Sequence, residues 1–346
     1  MNRKDLLFIA NILSCCLIYA QSVESAFHWQ SDFPLSVEQQ AFSEQFQYVG
    51  GTFRTQFITE NTAQDAIGGS DIFLTAMDET GAMIWSVTGG SERNDLLEAV
   101  AYDDGQVFIA GTYWINAVFD DLILNTVGSP QGIFLISYSE TGALQSGISI
   151  NGQGNKEIRD LAIDQSGNLL LAGSFEGSLI VGDSTLFAAK EQFFLLKFDA
   201  AKNLLWARQA SQVQGEAKGI SLATLEADQI ILAGDFMGTL VVGEDSLITD
   251  TEDEDIFIIS YTVEGEYLWI REAGGVFPSF VVDAVGRATD FYVGGNFTGR
   301  MTLDENLTIE SRGPNENIFL LQYDKDGQAL AATSIGDGAT ENMSSL

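Results

Sequence analysis

The sequence predicts an all-β protein made of five similar repeats, because two motifs return in step about every 61 residues. The first motif is a glycine followed two residues later by an aromatic residue. Its glycines, which are 60, 62, 61 and 61 residues apart, are Gly51, Gly111, Gly173, Gly234 and Gly295. The second motif is a short apolar run that starts at Asp71, Gly132, Gln192, Asp255 and Asn317. A shared period of this length indicates a supersecondary unit that buries its apolar faces against copies of itself.

The repeat at 157–212 predicts four main strands. Its predicted strands lie at 158–164, 169–173 and 193–198, a fourth begins at 204–207, and within them apolar residues occupy consecutive positions. Such runs, unlike alternating ones, are typical of strands that are covered on both faces of a sheet. The turns between them are short, which favours antiparallel neighbours, and a smaller hairpin-like piece falls between the second and third strands. Repeated four-stranded antiparallel sheets with both faces buried are typical of a β-propeller.

We therefore expect a β-propeller of five four-stranded blades of about 61 residues each. An open arc that needs a partner is the alternative. The propeller should span 37–337, and a tail at 338–346 lines up with the approach to another first strand, where it either clasps the first blade or is loose. The predicted limits of the five repeats are 37–90, 96–152, 157–212, 216–275 and 280–337.

The amino terminus predicts export. A basic start at 2–4 precedes an apolar run from Leu6 to Ala20, which is typical of a signal peptide cleaved after Ala20, or else after Ala26, and followed by a leader at 21–36. The run is short for a membrane span, and we expect no transmembrane segment in the mature chain. The segment ending at Cys15 also resembles a bacterial lipobox, so lipid anchoring at Cys15 or an uncleaved anchor are alternatives. The expected location is secreted, periplasmic or at the cell surface.

The composition excludes several classes of function. With 49 acidic and 16 basic residues, the formal net charge is −33, which disfavours nucleic acid as a partner because no basic stripe can release counterions. The single histidine, His28, precedes the repeats, so no Ser-His-Asp or histidine-ligated metal site is expected within them. Both cysteines lie inside the predicted signal peptide, so the exported chain must rely on its core rather than on disulfides.

The repeats resemble the bacterial β-propeller repeat family known as SBBP repeats. The first repeat carries the family pattern as Asp71-Ile-Phe-Leu, Asp78, Gly81, Trp85 and Gly89-Gly90, and the fourth repeats it as Asp255-Ile-Phe, Gly265, Trp269 and Gly274-Gly275. The second and fifth repeats lack the tryptophan, and members of the family often have seven blades. The resemblance implies a propeller of an exported or cell-surface protein, and it does not imply an activity.

Three sets of side chains are candidates for binding. Trp114 breaks the repeat register, and with its neighbour Tyr113 it could stack on a glycan or peptide; Phe277 is a second off-pattern aromatic. An acidic run is the candidate calcium site, because hard cations prefer several oxygen ligands on a flexible loop; its residues are Asp250, Glu252, Asp253 and Glu254. By contrast, Asp71 and Asp255 obey the repeat and are expected to cap strands, and Trp85, Trp206 and Trp269 keep its register and are expected to pack in the core or between blades.

These observations favour a non-catalytic module that binds a protein or a polysaccharide, or serves as a surface scaffold. No catalytic residue is predicted. One alternative is a carbohydrate-active enzyme, a glycoside hydrolase or lyase, that uses carboxylates at the propeller opening. The other is a structural or adhesive module stabilised by calcium.

Overall fold

The fold is described from a computed structural model, which covers residues 35–58, 63–226, 228–249, 254–304, 307–336 and 340–346. Over these residues the regular structure consists of 27 β-strands and no helix, which confirms the all-β prediction. No described segment is a helix that could cross a membrane. The predicted signal peptide, Cys15 and His28 lie outside the described residues.

The strands follow the repeats. The first repeat holds β1 (Leu35–Phe42), β2 (Gln47–Phe53), β3 (Gln56–Ile58), β4 (Ala63–Asp65), β5 (Asp71–Met77) and β6 (Met83–Gly90). The second holds β7 (Leu96–Asp103), β8 (Gln106–Trp114), β9 (Asn116–Phe119), β10 (Leu122–Asn125), β11 (Gln131–Ser139) and β12 (Leu144–Ile150). The third holds β13 (Lys156–Ile163), β14 (Leu169–Val181), β15 (Ser184–Phe198) and β16 (Leu204–Gln209).

The remaining strands complete the pattern. The fourth repeat holds β17 (Gln212–Leu225), β18 (Gln229–Val242), β19 (Asp245–Ile248), β20 (Asp255–Thr262) and β21 (Tyr267–Gly275). The fifth holds β22 (Ser279–Gly286), β23 (Asp290–Phe297), β24 (Arg300–Thr302), β25 (Thr308–Glu310), β26 (Asn317–Asp324) and β27 (Ala329–Ile335).

Within every repeat, four strands pair antiparallel in chain order, for example β13-β14-β15-β16. The short hairpins between the second and third strands behave differently. Strand β9 pairs with β6 of the preceding repeat, which extends that sheet to six strands. Strand β24 likewise pairs with β21, and because β19 also pairs with β18, this sheet has seven strands. Closure of the repeats into a five-bladed ring stays a prediction.

The chain divides into an N-terminal unit, 1–153, and a C-terminal unit, 154–346. In each unit the core joins neighbouring repeats. One cluster of the N-terminal unit contains Tyr48 and Leu74 of the first repeat with Ile109 and Phe134 of the second. All seven residues of β5 are buried, as expected for a strand with both faces covered.

The in-register tryptophans lie at the joints between repeats. The indole N–H of Trp206 donates to the backbone oxygen of Val263 in the next repeat, 3.1 Å away. Its ring covers Gly265, where a Cβ would lie 2.8 Å from the indole. Trp85 covers Gly142 in the same way, and Trp269 covers Gly327. The position of these rings supports the expectation that they pack between repeats.

The tail at 340–346 packs on the fifth repeat as the start of another first strand would. Three of its backbone N–H groups donate hydrogen bonds to the fifth repeat. The pairs are Glu341 N–Glu316 O (3.1 Å), Met343 N–Asn296 Oδ1 (3.2 Å) and Leu346 N–Asp283 Oδ2 (2.8 Å). The start of β22 makes equivalent bonds to the fourth repeat, in the pairs Ser279 N–Glu254 O, Val281 N–Asp235 Oδ1 and Ala284 N–Ser221 Oγ. The alignment of the tail with a first strand is therefore seen in the structure, and the tail's partner is the fifth repeat.

Candidate functional site

The main candidate site lies in the C-terminal unit, where β17 begins and β18 passes beside it. Because neighbouring strands run antiparallel, the start of the first strand, the end of the second and the start of the third meet at one edge of each sheet. At this edge one register pair recurs in every repeat, as Ser36–Thr52, Leu96–Thr112, Glu157–Ser174, Lys218–Asp235 and Phe280–Asn296. Only the fourth repeat places opposite charges there.

The ammonium group of Lys218 lies among three carboxylates. Its Nζ is 3.5 Å from Glu216 Oε2, 3.7 Å from Glu254 Oε1 and 3.8 Å from Glu191 Oε2. Burial disfavours the charged ammonium, but the three carboxylates outweigh burial and raise the pKa of Lys218 above its ordinary value. We call Glu191, Glu216, Lys218, Asp235 and Glu254 the Lys218 cluster.

Asp235 is the buried member of this cluster, with 7% of its surface exposed. Its Oδ1 accepts a hydrogen bond from the backbone N–H of Val281 at 2.7 Å. The pKa of Asp235 is raised to about 8, mainly by burial and partly by the charge of Glu254, while the hydrogen bond from Val281 and the charges of Lys218 and Arg159 act in the opposite direction. The side chain is therefore mainly neutral at pH 7, so it can donate a hydrogen bond or a proton.

Two of the glutamates around Lys218 accept further hydrogen bonds that help to fix their positions. Glu191 Oε1 accepts a hydrogen bond from Ser174 Oγ at 2.6 Å, which leaves Oε2 facing Lys218. The backbone oxygen of Glu254 accepts the N–H of Ser279 at 2.8 Å. The Lys218 cluster thus offers glutamate acceptors and one ammonium donor at side chains that are partly open to solvent. The neutral carboxyl of Asp235 is more deeply buried than these groups.

In the N-terminal unit, Trp114 is the second candidate. It ends β8 and is half-buried. The guanidinium of Arg93 lies 5.8 Å from the ring centroid, a cation–π arrangement, and the Trp114 backbone N–H donates to Asp95 Oδ1 at 3.2 Å. Part of the indole can therefore meet a ligand, and its orientation is supported by Arg93.

Tyr113 does not belong to this surface. It has no exposed area, and its hydroxyl lies 2.5 Å from Ser149 Oγ. Because strand residues alternate in direction, Tyr113 points into the core where its neighbour Trp114 points out. This corrects the expectation that Tyr113 contacts a ligand.

Phe277 lies in the connection between β21 and β22 and is 51% exposed. The adjacent Val276 is also exposed, and the Phe277 ring covers Gly299, where a Cβ would lie 2.5 Å from Cδ2. Phe277 is thus an exposed apolar side chain near the edge that carries the Lys218 cluster in its own unit, whereas Trp114 belongs to the other unit.

The predicted calcium loop is described only at its end. Asp250, Glu252 and Asp253 lie outside the described residues, and Glu254 faces the ammonium of Lys218. Within the described part of the chain, no group of three or more acidic, histidine or cysteine side chains could hold a metal ion. A calcium site in this loop stays a prediction.

Sequence reasoning missed Lys218, Asp235 and Glu191. A signal was present, because the position of Asp235 holds an uncharged hydroxyl or amide residue in the other four repeats: Thr52, Thr112, Ser174 and Asn296. An acid that breaks a repeat in one copy is the pattern expected of a functional residue. The repeat pattern instead drew attention to Asp71 and Asp255, which lie at the starts of third strands and keep the repeat register.

No protein-family model matches this chain, and a search of curated proteins gives no match. Two similar solved structures are a GH43 protein, BlXynB, from Bacillus licheniformis and a xylan beta-1,4-xylosidase from Bacillus halodurans C-125. Their identities to this chain are 10% and 11%, they cover 90% and 91% of it, and both TM-scores are 0.38. The chain spans 59% and 60% of the length of these two structures. A similarity this distant carries no argument about activity.

Proposed function

We propose that this chain is an exported β-propeller whose Lys218 cluster binds a polysaccharide. The observation that carries the proposal is the Lys218–Asp235 register pair with the glutamates around it, because it is the one of the five equivalent register pairs that holds opposite charges. Export rests on the predicted signal peptide. The propeller rests on the order of the four strands in each repeat and on the resemblance to SBBP repeats.

The chemistry of the cluster fits sugar hydroxyls better than a strongly charged ligand. A hydroxyl both donates and accepts, so it can donate to Glu191 or Glu254 and accept from Lys218 or the neutral Asp235. One ammonium faces three carboxylates, so the cluster keeps a negative charge that disfavours an anionic ligand and does not repel a neutral sugar. Hydrogen bonds to charged groups contribute about 1.5–3 kcal/mol each, enough for a few contacts to give measurable affinity.

Screening of the mature chain against a glycan array, followed by calorimetry on each hit, tests the proposal. Glu191→Gln should weaken binding of a hit at least about tenfold, which corresponds to about 1.4 kcal/mol. Glu264→Gln is the matched control, because Glu264 lies in an exposed turn of the same unit. Equal affinity of both variants and the parent chain would contradict a glycan site at the cluster, as would binding restricted to basic proteins.

Asp235 favours a second candidate function, a glycoside hydrolase or lyase. A neutral carboxyl whose pKa is raised to about 8, next to ionised carboxylates, is the arrangement used for general acid–base catalysis. A product assay on any bound glycan separates the two functions. Cleavage that is lost in Asp235→Asn, with binding retained, would support the enzyme; binding without products would leave the binding module.

The calcium-stabilised module is tested independently of either function. Calcium held by the run from Asp250 to Glu254 should raise the unfolding temperature, since a ligand that binds only the folded state stabilises it. Thermal unfolding in calcium and in excess chelator gives the answer. An equal unfolding temperature in both would contradict a structural calcium ion.

A further inference from the structure

Three polar side chains from successive first strands meet in the C-terminal unit, at some distance along the strands from the Lys218 cluster. Asp160 lies on β13, Ser221 on β17 and Asp283 on β22, each beside a register shift of its strand. Ser221 Oγ is 3.0 Å from Asp160 Oδ2 and 3.1 Å from Asp283 Oδ1. The serine is buried, so its hydroxyl joins two carboxyl groups that would otherwise face each other.

Only one hydroxyl hydrogen lies between the two carboxyl groups, whose oxygens also accept the backbone N–H groups of Leu161 and Leu222 at Asp160 and of Ala284 and Leu346 at Asp283. A serine hydroxyl has one hydrogen and can donate it to one acceptor. Ser221 Oγ shares the backbone N–H of Ala284 with Asp283 Oδ1, at 3.0 and 2.8 Å, so it remains able to accept one more bond. Both carboxyl contacts are hydrogen bonds only when one of the two acids is protonated and donates to Ser221 Oγ.

The surroundings favour the retention of that proton. The pKa of Asp160 is raised to about 6, mainly by burial and partly by the charge of Asp283, against the opposing hydrogen bonds from Leu222, Ser221 and Leu161; burial also raises the pKa of Asp283. The acids and bases on the four packed segments are, on β13, Lys156, Glu157, Arg159 and Asp160; on β17, Glu216 and Lys218; on β22, Asp283; and on the tail, Glu341. Lys156 Nζ donates to the Gly154 oxygen at 2.9 Å, Arg159 lies 2.5 Å from Glu157, and Lys218 lies among the glutamates of its own cluster, so all three cations have partners outside this junction.

The junction also holds the tail. The backbone N–H of Leu346 donates to Asp283 Oδ2 at 2.8 Å, at the oxygen that does not face Ser221. Leu222 and Ala284 use their N–H groups in the same way on Asp160 and Ser221, so the tail occupies the third place in a series of repeat-to-repeat contacts. A change in the Asp160–Ser221–Asp283 junction therefore reaches the tail directly through Asp283.

We propose that Asp160, Ser221 and Asp283 share one proton, and that loss of this proton loosens the tail at 340–346 from the fifth repeat. Once both acids are ionised, they repel across Ser221, and Asp283 can relieve this repulsion by moving away from β17. Its contact with Leu346 then weakens. The junction thus acts as a pH-sensitive latch that is closed in acid and looser above neutral pH.

Hydrogen exchange of the tail, measured by mass spectrometry on the full chain at pH 5 and pH 8, tests the latch after correction for the intrinsic pH dependence of exchange. The parent chain should protect 340–346 at pH 5 and lose at least about tenfold in protection at pH 8, since about 1.4 kcal/mol corresponds to a factor of ten. Asp160→Asn should keep the tail protected at both values. Its amide can donate permanently to Ser221, and residue 160 does not itself bind the tail.

Asp183→Asn is the control, because Asp183 is exposed in the same unit. It should behave as the parent chain does. A pH response in Asp160→Asn equal to that of Asp183→Asn would overturn the proposal. Should Asp160→Asn not fold, the parent chain labelled at its aspartate carboxyl carbons gives the answer by NMR: the junction should show a carboxyl that titrates near pH 6, and full ionisation of both acids at pH 5 would overturn it.

Discussion

Trp269 donates its indole N–H to the backbone oxygen of Lys325, 3.1 Å away in the next repeat. The same ring lies over Gly327 and carries the guanidinium of Arg271 at 5.2 Å from its centroid. Trp206 makes an equivalent set of contacts with Val263, Gly265 and Arg208. One aromatic side chain thus supplies packing, a hydrogen bond and a cation–π contact at each of these joints, so these tryptophans should contribute to stability far more than Trp114.

Trp269→Phe tests this contribution. Phenylalanine keeps part of the packing but removes the donor and leaves the Lys325 oxygen without that bond, so we expect a loss of about 1–3 kcal/mol in the free energy of unfolding. Trp114→Phe is the matched control and should change the free energy of unfolding by less than about 1 kcal/mol. The Trp114 ring is half-buried, and among the described residues no hydrogen bond of its indole nitrogen joins two repeats. Urea unfolding followed by far-ultraviolet circular dichroism measures both. Equal losses would show that the joint does not depend on the indole.

The glycines under these rings have two reasons to be glycine. Gly265 has a φ of 79°, and a Cβ there would lie 2.8 Å from the Trp206 ring. Gly182 has a φ of 57° and no atom within 4 Å of a Cβ position. Gly182→Ala should therefore cost about 1 kcal/mol through backbone strain alone.

Gly265→Ala should cost about 1–3 kcal/mol more than Gly182→Ala, because it also displaces the indole. The same urea unfolding experiment compares the two variants. A cost no larger than that of Gly182→Ala would mean that the ring moves freely, and the close contact would then contribute nothing to the joint.

The sequence predicted the joints and the strand order well, and the site poorly, for a physical reason. Core positions recur with the repeat, so the aromatic of the first motif is buried in every copy: Phe53, Tyr113, Phe175, Phe236 and Phe297. That recurrence already marked Tyr113 as a core residue, although its off-pattern neighbour drew attention to it. The contact of Lys218 with Glu191 and Glu254, in contrast, depends on how β15, β17 and the segment before β20 approach one another, which no local pattern records.

A buried ion pair gives the C-terminal unit a stability that falls in acid. Lys197 Nζ lies 2.7 Å from Asp164 Oδ2, both side chains are 5% exposed, and the ammonium also donates to the Val263 oxygen at 2.7 Å. Burial opposes the charge of Asp164, but its bonds to Lys197 and Asn168 prevail and lower its pKa below the ordinary value. The folded state therefore binds the proton more weakly than the unfolded state, and this contribution is present above about pH 4 and lost below it.

Lys197→Met should remove about 3 kcal/mol of stability at pH 7, because it leaves the buried carboxylate without its cation. The difference from the parent chain should shrink as the pH falls below 4, where Asp164 is neutral in both proteins. Lys190→Met is a suitable control, since Lys190 is exposed in the same strand. A difference that stays constant down to low pH would show that the loss comes from packing and not from the charge.

Asp95 should give the N-terminal unit the opposite pH dependence. It has no exposed area, its Oδ2 accepts the N–H of Ser91 at 2.5 Å, and burial together with the charge of Asp71 raises its pKa to about 7. Asp71 Oδ1 has no hydrogen-bond partner among the residues that the structure describes, and it and Asp95 Oδ2 lie 2.6 and 2.8 Å from the point where a Cβ on Gly90 would stand. Two carboxyl groups that flank one buried point are more stable when one carries a proton.

Because the folded state holds this proton more tightly than the unfolded chain does, the stability it contributes is full below about pH 4 and falls as the pH rises through 7. Asp71→Asn should reduce this loss of stability with rising pH, since the amide can donate to Asp95 without a titrating proton. Asp103→Asn, at an exposed turn of the same unit, should leave it unchanged. Hydrogen exchange in β5 and β8 between pH 5 and pH 8 follows this unit separately from the other. An unchanged slope in Asp71→Asn would mean that the two carboxyls do not share a proton, and that Asp95 is ionised within its hydrogen bonds to Ser91 and Trp114.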